Sequence, residues 1–288
     1  MEGTIIKGVG GFYYVSAGEE LITCKARGAF RKEGITPVVG DRVTLTRHNS
    51  GYAQIDTILP RRSLLVRPAV ANIDRLLIVL SARYPEPDWL LADKLIVQAI
   101  SGNIEPVLIL NKADEADEKV LAAFWTDYSR FPKAVVSAKE GQGLEELKEL
   151  IYGHVCCFAG QSAVGKTSLL NALLPELDLP VGELSRKTDR GKHTTRHAQL
   201  WPCFLGALLD TPGFSLYEPE SFDKTLLQRA YPEFLEAEPC RFPGCMHVKE
   251  PDCGVKKLLS LGKLSQGRYE RYQLIAQDFI YRRKHQYD

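Results

Sequence analysis

Apolar and polar positions alternate in short runs at the start of the chain. Within residues 1–68 the runs are Thr4–Val9, Phe12–Ser16, Leu21–Ala26, Arg42–Arg47 and Ala53–Ile58. Such short runs read as strands. Gly10-Gly11, Ala17-Gly18, Gly40-Asp41 and Asn49-Ser50-Gly51 separate them as turns. Five short strands in so little chain predict a small β-barrel of the OB type, and an SH3-like barrel would give nearly the same pattern. Pro60-Arg61-Arg62-Ser63 and Arg67-Pro68 read as the exit linker.

Over residues 69–220 the pattern changes to strands alternating with helices. Ile73–Leu80, Glu105–Leu110, Ala134–Ser137 and Val155–Ala159 are short apolar runs, as expected of parallel strands buried on both faces. Trp89–Ser101, Glu118–Tyr128, Leu144–Ile151 and Lys166–Leu174 have helical spacing, and Gln199–Leu205 with Ala207–Asp210 reads as a strand pair. The alternation predicts a mostly parallel α/β sheet, whose ligands sit at the C-terminal strand ends.

Residues 221–288 read as mainly helical. Phe222–Phe234 carries apolar residues at mixed spacing. Gly267–Arg283 places Tyr269, Tyr272, Ile275/Ala276 and Phe279/Ile280 on one helical face, a stripe best read as core packing. The predicted architecture is therefore a multidomain α/β chain: a barrel over 1–68, an α/β domain over 69–220 and a helical unit over 221–288.

Charge adds one feature. The formal net charge is only +1, but residues 1–70 hold 10 Lys/Arg against 6 Asp/Glu and residues 256–288 hold 8 against 3. Two basic ends around an acidic middle suggest polyanion contact at the ends, with solvated surface as the bland reading of either end alone. No apolar run is long enough to span a bilayer, and the first residues lack the form of a signal peptide. A cytoplasmic protein without membrane contact is expected.

The chemistry lies in the order of four motifs. Asn111-Lys112-Ala113-Asp114 reads N-K-x-D, and Ser137-Ala138-Lys139 reads S-A-K. Gly160-Gln161-Ser162-Ala163-Val164-Gly165-Lys166-Thr167, followed by Ser168, reads G-x-x-x-x-G-K-T. Asp210-Thr211-Pro212-Gly213 reads D-x-x-G. Glycines let backbone N–H groups turn in around phosphates, Lys166 supplies a point charge, and Thr167 offers a hydroxyl to Mg²⁺. Asp114 can accept from guanine N1–H and N2–H₂, which adenine does not offer in that arrangement. Asp210 fits the Mg²⁺ side, and the Gly213 N–H fits the γ-phosphate. An unpermuted GTPase has its phosphate loop first and its guanine reader near the end. The reversed order predicts a circular permutation, with the D-x-x-G segment at the C-terminal edge of its domain.

Phe214 stands where many GTPases carry a Gln that orients the attacking water. Slow intrinsic hydrolysis is expected. Residues Arg186–Arg196 occupy the position of a switch loop, where Thr195, or less readily Thr194, would close on Mg²⁺. His193 is the candidate for positioning water, and a solvated loop histidine or an RNA contact is the competing reading.

Beyond the switch, Cys240-x4-Cys245-x-His247-x5-Cys253 supplies three thiols and one imidazole within fourteen residues. That is a complete tetrahedral set for structural zinc. Cys24, Cys156, Cys157 and Cys203 sit in apolar stretches and read as small buried hydrophobes.

A basic barrel, permuted motifs with G-Q-S-x-V-G-K-[ST]-S and H-T-T, a hydrophobic residue after D-T-P-G, and this cysteine–histidine set resemble the RsgA (YjeQ/YloQ) family of small-ribosomal-subunit-dependent GTPases. The resemblance spans essentially the whole chain. It implies a factor of late 30S maturation that binds GTP and GDP, contacts rRNA, and hydrolyses GTP under stimulation by the subunit; a monomer is expected. Ala163 stands where many members have Gly, and Lys192 where many have Arg. Two other classes compete. A permuted GTPase of the large subunit shares the motif order but not the barrel and cysteine set. A metabolic kinase shares only the phosphate loop.

Overall fold

The computed structural model describes residues 1–48, 51–66, 68–179, 198–210 and 224–284. The first strands are β1 (Glu2–Val9), β2 (Phe12–Ala17) and β3 (Glu20–Ala26), followed by the short helix α1 (Ala29–Lys32), then β4 (Arg42–Arg47) and β5 (Ala53–Ile58). Strand β1 pairs antiparallel with both β2 and β4, β2 with β3, and β4 with β5, while β3 and β5 run parallel. The order β1-β2-β3-β5-β4, closed back onto β1, with a helix between β3 and β4, is the OB arrangement and removes the SH3-like alternative. Alternate residues point inward, so Ile5, Val15, Cys24, Val43, Leu45 and Ile55 fill the barrel. The alternation pattern gave no hint of α1, a single turn that buries Phe30.

The linker docks on the barrel. Strands β6 (Leu64–Leu65) and β7 (Val70–Ala71) form a small hairpin. Arg61 donates to both oxygens of buried Asp41 at 2.7 and 2.9 Å, a bidentate pair. Gly40, at φ +88°, lies so close to this hairpin that a Cβ there would sit 2.0 Å from the Ala71 carbonyl oxygen.

The α/β layer follows: β8 (Arg75–Ser81), α2 (Trp89–Ser101), β9 (Glu105–Asn111), α3 (Glu118–Asp127), β10 (Lys133–Val135), α4 (Leu144–Ile151), β11 (Val155–Ala159), α5 (Lys166–Leu173), β12 (Gln199–Cys203) and β13 (Gly206–Asp210). The sheet order is β10-β9-β8-β11-β13-β12, parallel except for β12. Leu76 to Leu80 are all buried, because helices cover both faces of the sheet. Strand β12 also pairs with β1 at Lys7 and Gln199, so barrel and α/β layer share one eleven-stranded sheet.

The expected strand over Gln199–Leu205 stops at Cys203. Phe204 and Leu205 turn the chain at φ +47° and +56°. This conformation normally selects Asn or Gly, and two apolar residues there disguise the turn. The mixed spacing over Phe222–Phe234, in a region read as mainly helical, corresponds to a broken element: α6 (Lys224–Arg229) ends and a 3-10 turn takes over at Pro232–Glu236.

Helices α7 (Gly254–Ser260) and α8 (Gln266–Lys284) complete the fold. Tyr269, Tyr272, Ile275 and Ala276 are buried. The same helix also drives charge inward. Arg268, 1% exposed, bonds Asp93 of α2, Glu233 and the Ala230 carbonyl. Arg271 bonds Asp93 and Asp127, each at 2.7 Å. Burial opposes the Arg268 charge, but Asp93 and Glu233 hold its pKa above the ordinary arginine value. Two of the eight C-terminal basic residues are thus spent inside, and the C-terminal surface is less basic than the sequence count suggests. No helix among the described residues is long and apolar enough to cross a membrane.

Candidate functional site

N-K-x-D, S-A-K and the phosphate loop converge at the C-terminal ends of parallel strands of one sheet, with β8 between β9 and β11. Strand β9 ends on Asn111, and β11 runs into Gly160. The register of β11 against β13 pairs Cys157 with Leu209. It thereby sets the Asp210 backbone at the same sheet end, next to the start of the phosphate loop.

The phosphate loop needs its glycines. Gly160 has φ +131° and Gly165 φ +96°. A Cβ on Gly160 would lie 2.3 Å from the Val79 carbonyl oxygen, and one on Gly165 2.3 Å from Asn111 Nδ2. Ala163, where the sequence departs from the related pattern, adopts φ +64°, at a steric cost that Gly would avoid. Lys166 Nζ donates to the carbonyls of Gly160 and Gln161 at 2.8 and 2.7 Å. Lys166, Thr167 and Ser168 open α5, so the positive end of that helix adds to the lysine charge.

Asn111, 2% exposed, ties the motifs together. Its Nδ2 donates to the Val164 carbonyl at 2.9 Å, and its Oδ1 accepts from the Ala138 N–H at 3.1 Å. Lys112, at φ +64°, donates from Nζ to the Ala163 carbonyl at 3.0 Å and to the Tyr84 carbonyl. The Tyr84 contact was not foreseen, since a backbone carbonyl leaves no mark in a sequence. Asp114 accepts from the Ser137 hydroxyl at 2.6 Å. That bond, helped by the charges of Lys139 and Lys112, holds the carboxyl below its ordinary pKa. The group is therefore an ionised double acceptor at neutral pH, the form that pairs two N–H donors.

Thr194, Thr195, His193, Gly213 and Phe214 lie outside the described residues, as does the side chain of Asp210. The hydroxyl of Thr167 together with a carboxylate at Asp210 is an oxygen donor set that suits Mg²⁺.

The second cluster is compact. Cys240, Cys245, His247 and Cys253 place their ligand atoms within 4.8 Å of one another. Cys240 Sγ lies 3.8 Å from Cys253 Sγ and 3.5 Å from His247 Nδ1, which is 3.3 Å from Cys253 Sγ. A tetrahedral zinc with typical bond lengths sets sulfurs about 3.8 Å apart and a sulfur about 3.5 Å from a nitrogen. The donor set therefore fits. Neighbours hold the loop in shape: the Tyr269 and Tyr272 hydroxyls donate to the His247 and Met246 carbonyls at 2.8 Å. Gln228 Nε2 donates to the Cys245 carbonyl at 3.1 Å. Glu250 accepts from the N–H groups of Met246, Val248 and Lys249. Partial burial alone would raise its pKa, but these donors bring it down to about 2.

A permuted phosphate-loop GTPase flanked by an OB barrel and a Cys₃His cluster is the class this arrangement defines. Comparison with known proteins gives the family. The RsgA GTPase model matches residues 58–220, and the RsgA N-terminal domain model matches residues 2–55. A protein of Agathobacter rectalis named small ribosomal subunit biogenesis GTPase RsgA is 39% identical, covering 99% of this chain and 100% of that protein. A protein of the same name from Ruminiclostridium cellulolyticum is 42% identical, covering 94% of this chain and 91% of its own length. YjeQ from Thermotoga maritima superposes with a TM-score of 0.84 at 36% identity, covering 97% of this chain and 98% of that one. YloQ, described as a circularly permuted GTPase, superposes with a TM-score of 0.80 at 34% identity, covering 98% and 95%. The chain belongs to the RsgA GTPase family and is a GTP-hydrolysing enzyme.

Proposed function

We propose that this chain binds the 30S ribosomal subunit through its rRNA, assists late maturation of the subunit, and hydrolyses GTP faster when bound to it. The observation that carries the reading is the end-to-end likeness to proteins named small ribosomal subunit biogenesis GTPases, which extends through barrel, GTPase domain and cysteine cluster alike. We place the domain limits at 1–68, 69–220 and 221–288, and take the protein to act as a cytoplasmic monomer.

In this reading Asp114 accepts from guanine N1–H and N2–H₂, Lys112 lies along the base, and Asn111 and Ala113 with Ser137, Ala138 and Lys139 close the pocket. Backbone N–H groups of Gly160 to Thr167, with Lys166, hold the β- and γ-phosphates, and Ser168 extends this helix start. Thr167, Thr195 and Asp210 would hold Mg²⁺, which when bound neutralises charge on the phosphate oxygens. Gly213 senses the γ-phosphate. His193 orients the attacking water, since the Phe214 side chain has no polar group to do so. The four ligands of the Cys₃His cluster leave no open position, so the zinc is structural.

Exposed Arg27 and Lys32, with Lys25 held over the Phe12 and Tyr52 rings at 4.8 and 4.3 Å, offer rRNA a basic, aromatic face on the barrel. Stacking and charge of this kind suit nucleic acid. The test is GTP turnover alone and with purified 30S or 50S subunits. Stimulation by 30S alone is expected. Equal stimulation by 50S, or none by 30S, would overturn the reading. His193→Ala should lower stimulated turnover far more than GTP affinity.

A further inference from the structure

Beyond the four motifs, one buried hydroxyl reaches the base-reading loop indirectly. Ser81 is the last residue of β8 and is fully buried. Its Oγ donates to the Tyr84 carbonyl at 2.9 Å. That same carbonyl accepts from Lys112 Nζ, which also donates to the Ala163 carbonyl of the phosphate loop at 3.0 Å. The chain just after Ser81 is also pinned, because the Ala82 N–H donates to the Asn111 carbonyl at 2.8 Å. A lysine has three rotatable donors on a flexible stem. Holding it straight along a base requires acceptors that do not move. The Tyr84 carbonyl belongs to the exposed loop between β8 and α2, where the Tyr84 side chain is 75% exposed, and Ser81 is the side chain that fixes this carbonyl.

We propose that Ser81 is a positioning residue for guanine-nucleotide binding, acting through the Tyr84 carbonyl on the Lys112 ammonium. The inference rests on the assignment of Lys112 to the base pocket. Loss of the Ser81 hydroxyl leaves Lys112 its charge but frees one of its two anchors. The cost should be that of one hydrogen bond in a charged network, roughly a 5- to 10-fold weaker nucleotide complex.

The experiment is a double-mutant cycle on the full chain, read with a fluorescent GDP analogue and with thermal unfolding of each variant. Ser81→Ala should weaken binding about 5- to 10-fold in the native background and have almost no effect in a Lys112→Ala background. Its turnover at saturating GTP should match the native value, so that the loss appears in KM. An equal Ser81→Ala effect in both backgrounds, or loss of the fold, would mean a merely structural serine and overturn the proposal. No effect of Ser81→Ala while Lys112→Ala binds weakly would overturn it too, leaving the base pocket assignment intact. Unchanged binding in Lys112→Ala would instead overturn the assignment of Lys112 on which both rest.

Discussion

Asn111 and Val164 are joined by a hydrogen bond of 2.9 Å between side-chain amide and backbone carbonyl, across fifty-three positions of the chain. This contact fastens the base-reading loop to the phosphate loop. It explains how a permuted chain can build an unpermuted site. The elements keep their neighbours in space, and only the connections between them change. Gly165 sits against the same amide, leaving no room for a side chain.

Asn111→Ala should therefore loosen both loops at once. The substitution strips a partner from the Val164 carbonyl and from the Ala138 N–H. Guanine nucleotide affinity should fall by about 1–3 kcal/mol, measured by titration with a fluorescent GDP analogue. Affinity within twofold of native would contradict the bridging role.

Base choice is expected to follow Asp114. Asp114→Asn should weaken GTP and favour xanthosine triphosphate, whose C2 carbonyl accepts from the new amide. The pH dependence has a definite sign. Because Asp114 is held below its ordinary pKa, mainly by the Ser137 hydroxyl, its acceptor form persists as pH drops and is lost only below the usual carboxylate range. Ser137→Ala should return the pKa toward its ordinary value, so GDP binding begins to fail at a higher pH. Superimposable acid limbs for native and variant protein would refute this.

Arg268 and Asp93 lock α8 onto α2 with both side chains 1% exposed or less. Arg268→Ala leaves a buried carboxylate without one of its two arginines, and should cost about 3–5 kcal/mol. Denaturant unfolding followed at the C-terminal region, with proteolysis of α8, would reveal this. An unchanged midpoint would mean that the pair carries no weight in docking.

Cys245→Ser should remove stoichiometric zinc and loosen the loop that Gln228 and Tyr272 hold, because metal binding at such a site contributes directly to local folding. Metal analysis of freshly purified native protein should find one zinc per chain. Finding none would refute the assignment.

The motifs were legible because each comes at the end of a buried apolar run that gives way to Gly, Asn, Ser or Asp. The barrel was legible from its alternation. The turn at Phe204-Leu205 was hidden by its own apolar residues, which continue the strand pattern while the backbone leaves it. The ion pairs of Arg268 and Arg271 were hidden for another reason. Periodicity tells which side of a helix turns inward, but not which charges across the interface are matched. The one available signal was Asp93, a lone acid among Leu91, Ala92, Leu95 and Ile96 in a helix buried on most of its surface.

If the chain acts on the small subunit as proposed, nucleotide state should govern that contact. Strand β12, between the two switch segments in sequence, pairs with β1 of the barrel, and α6, downstream of D-x-x-G, bonds the Cys245 carbonyl through Gln228. The barrel is thus tied through Gln199 to the strand pair that ends at Asp210, and the helical unit follows D-x-x-G in sequence, so in the proposed reading the nucleotide can bias their arrangement. The most direct measurement is 30S affinity with a non-hydrolysable GTP analogue and with GDP, across a salt series. Tighter binding with the analogue, weakening as salt rises through counterion release, is predicted. Equal affinity with both nucleotides, or no response to salt, would contradict the account.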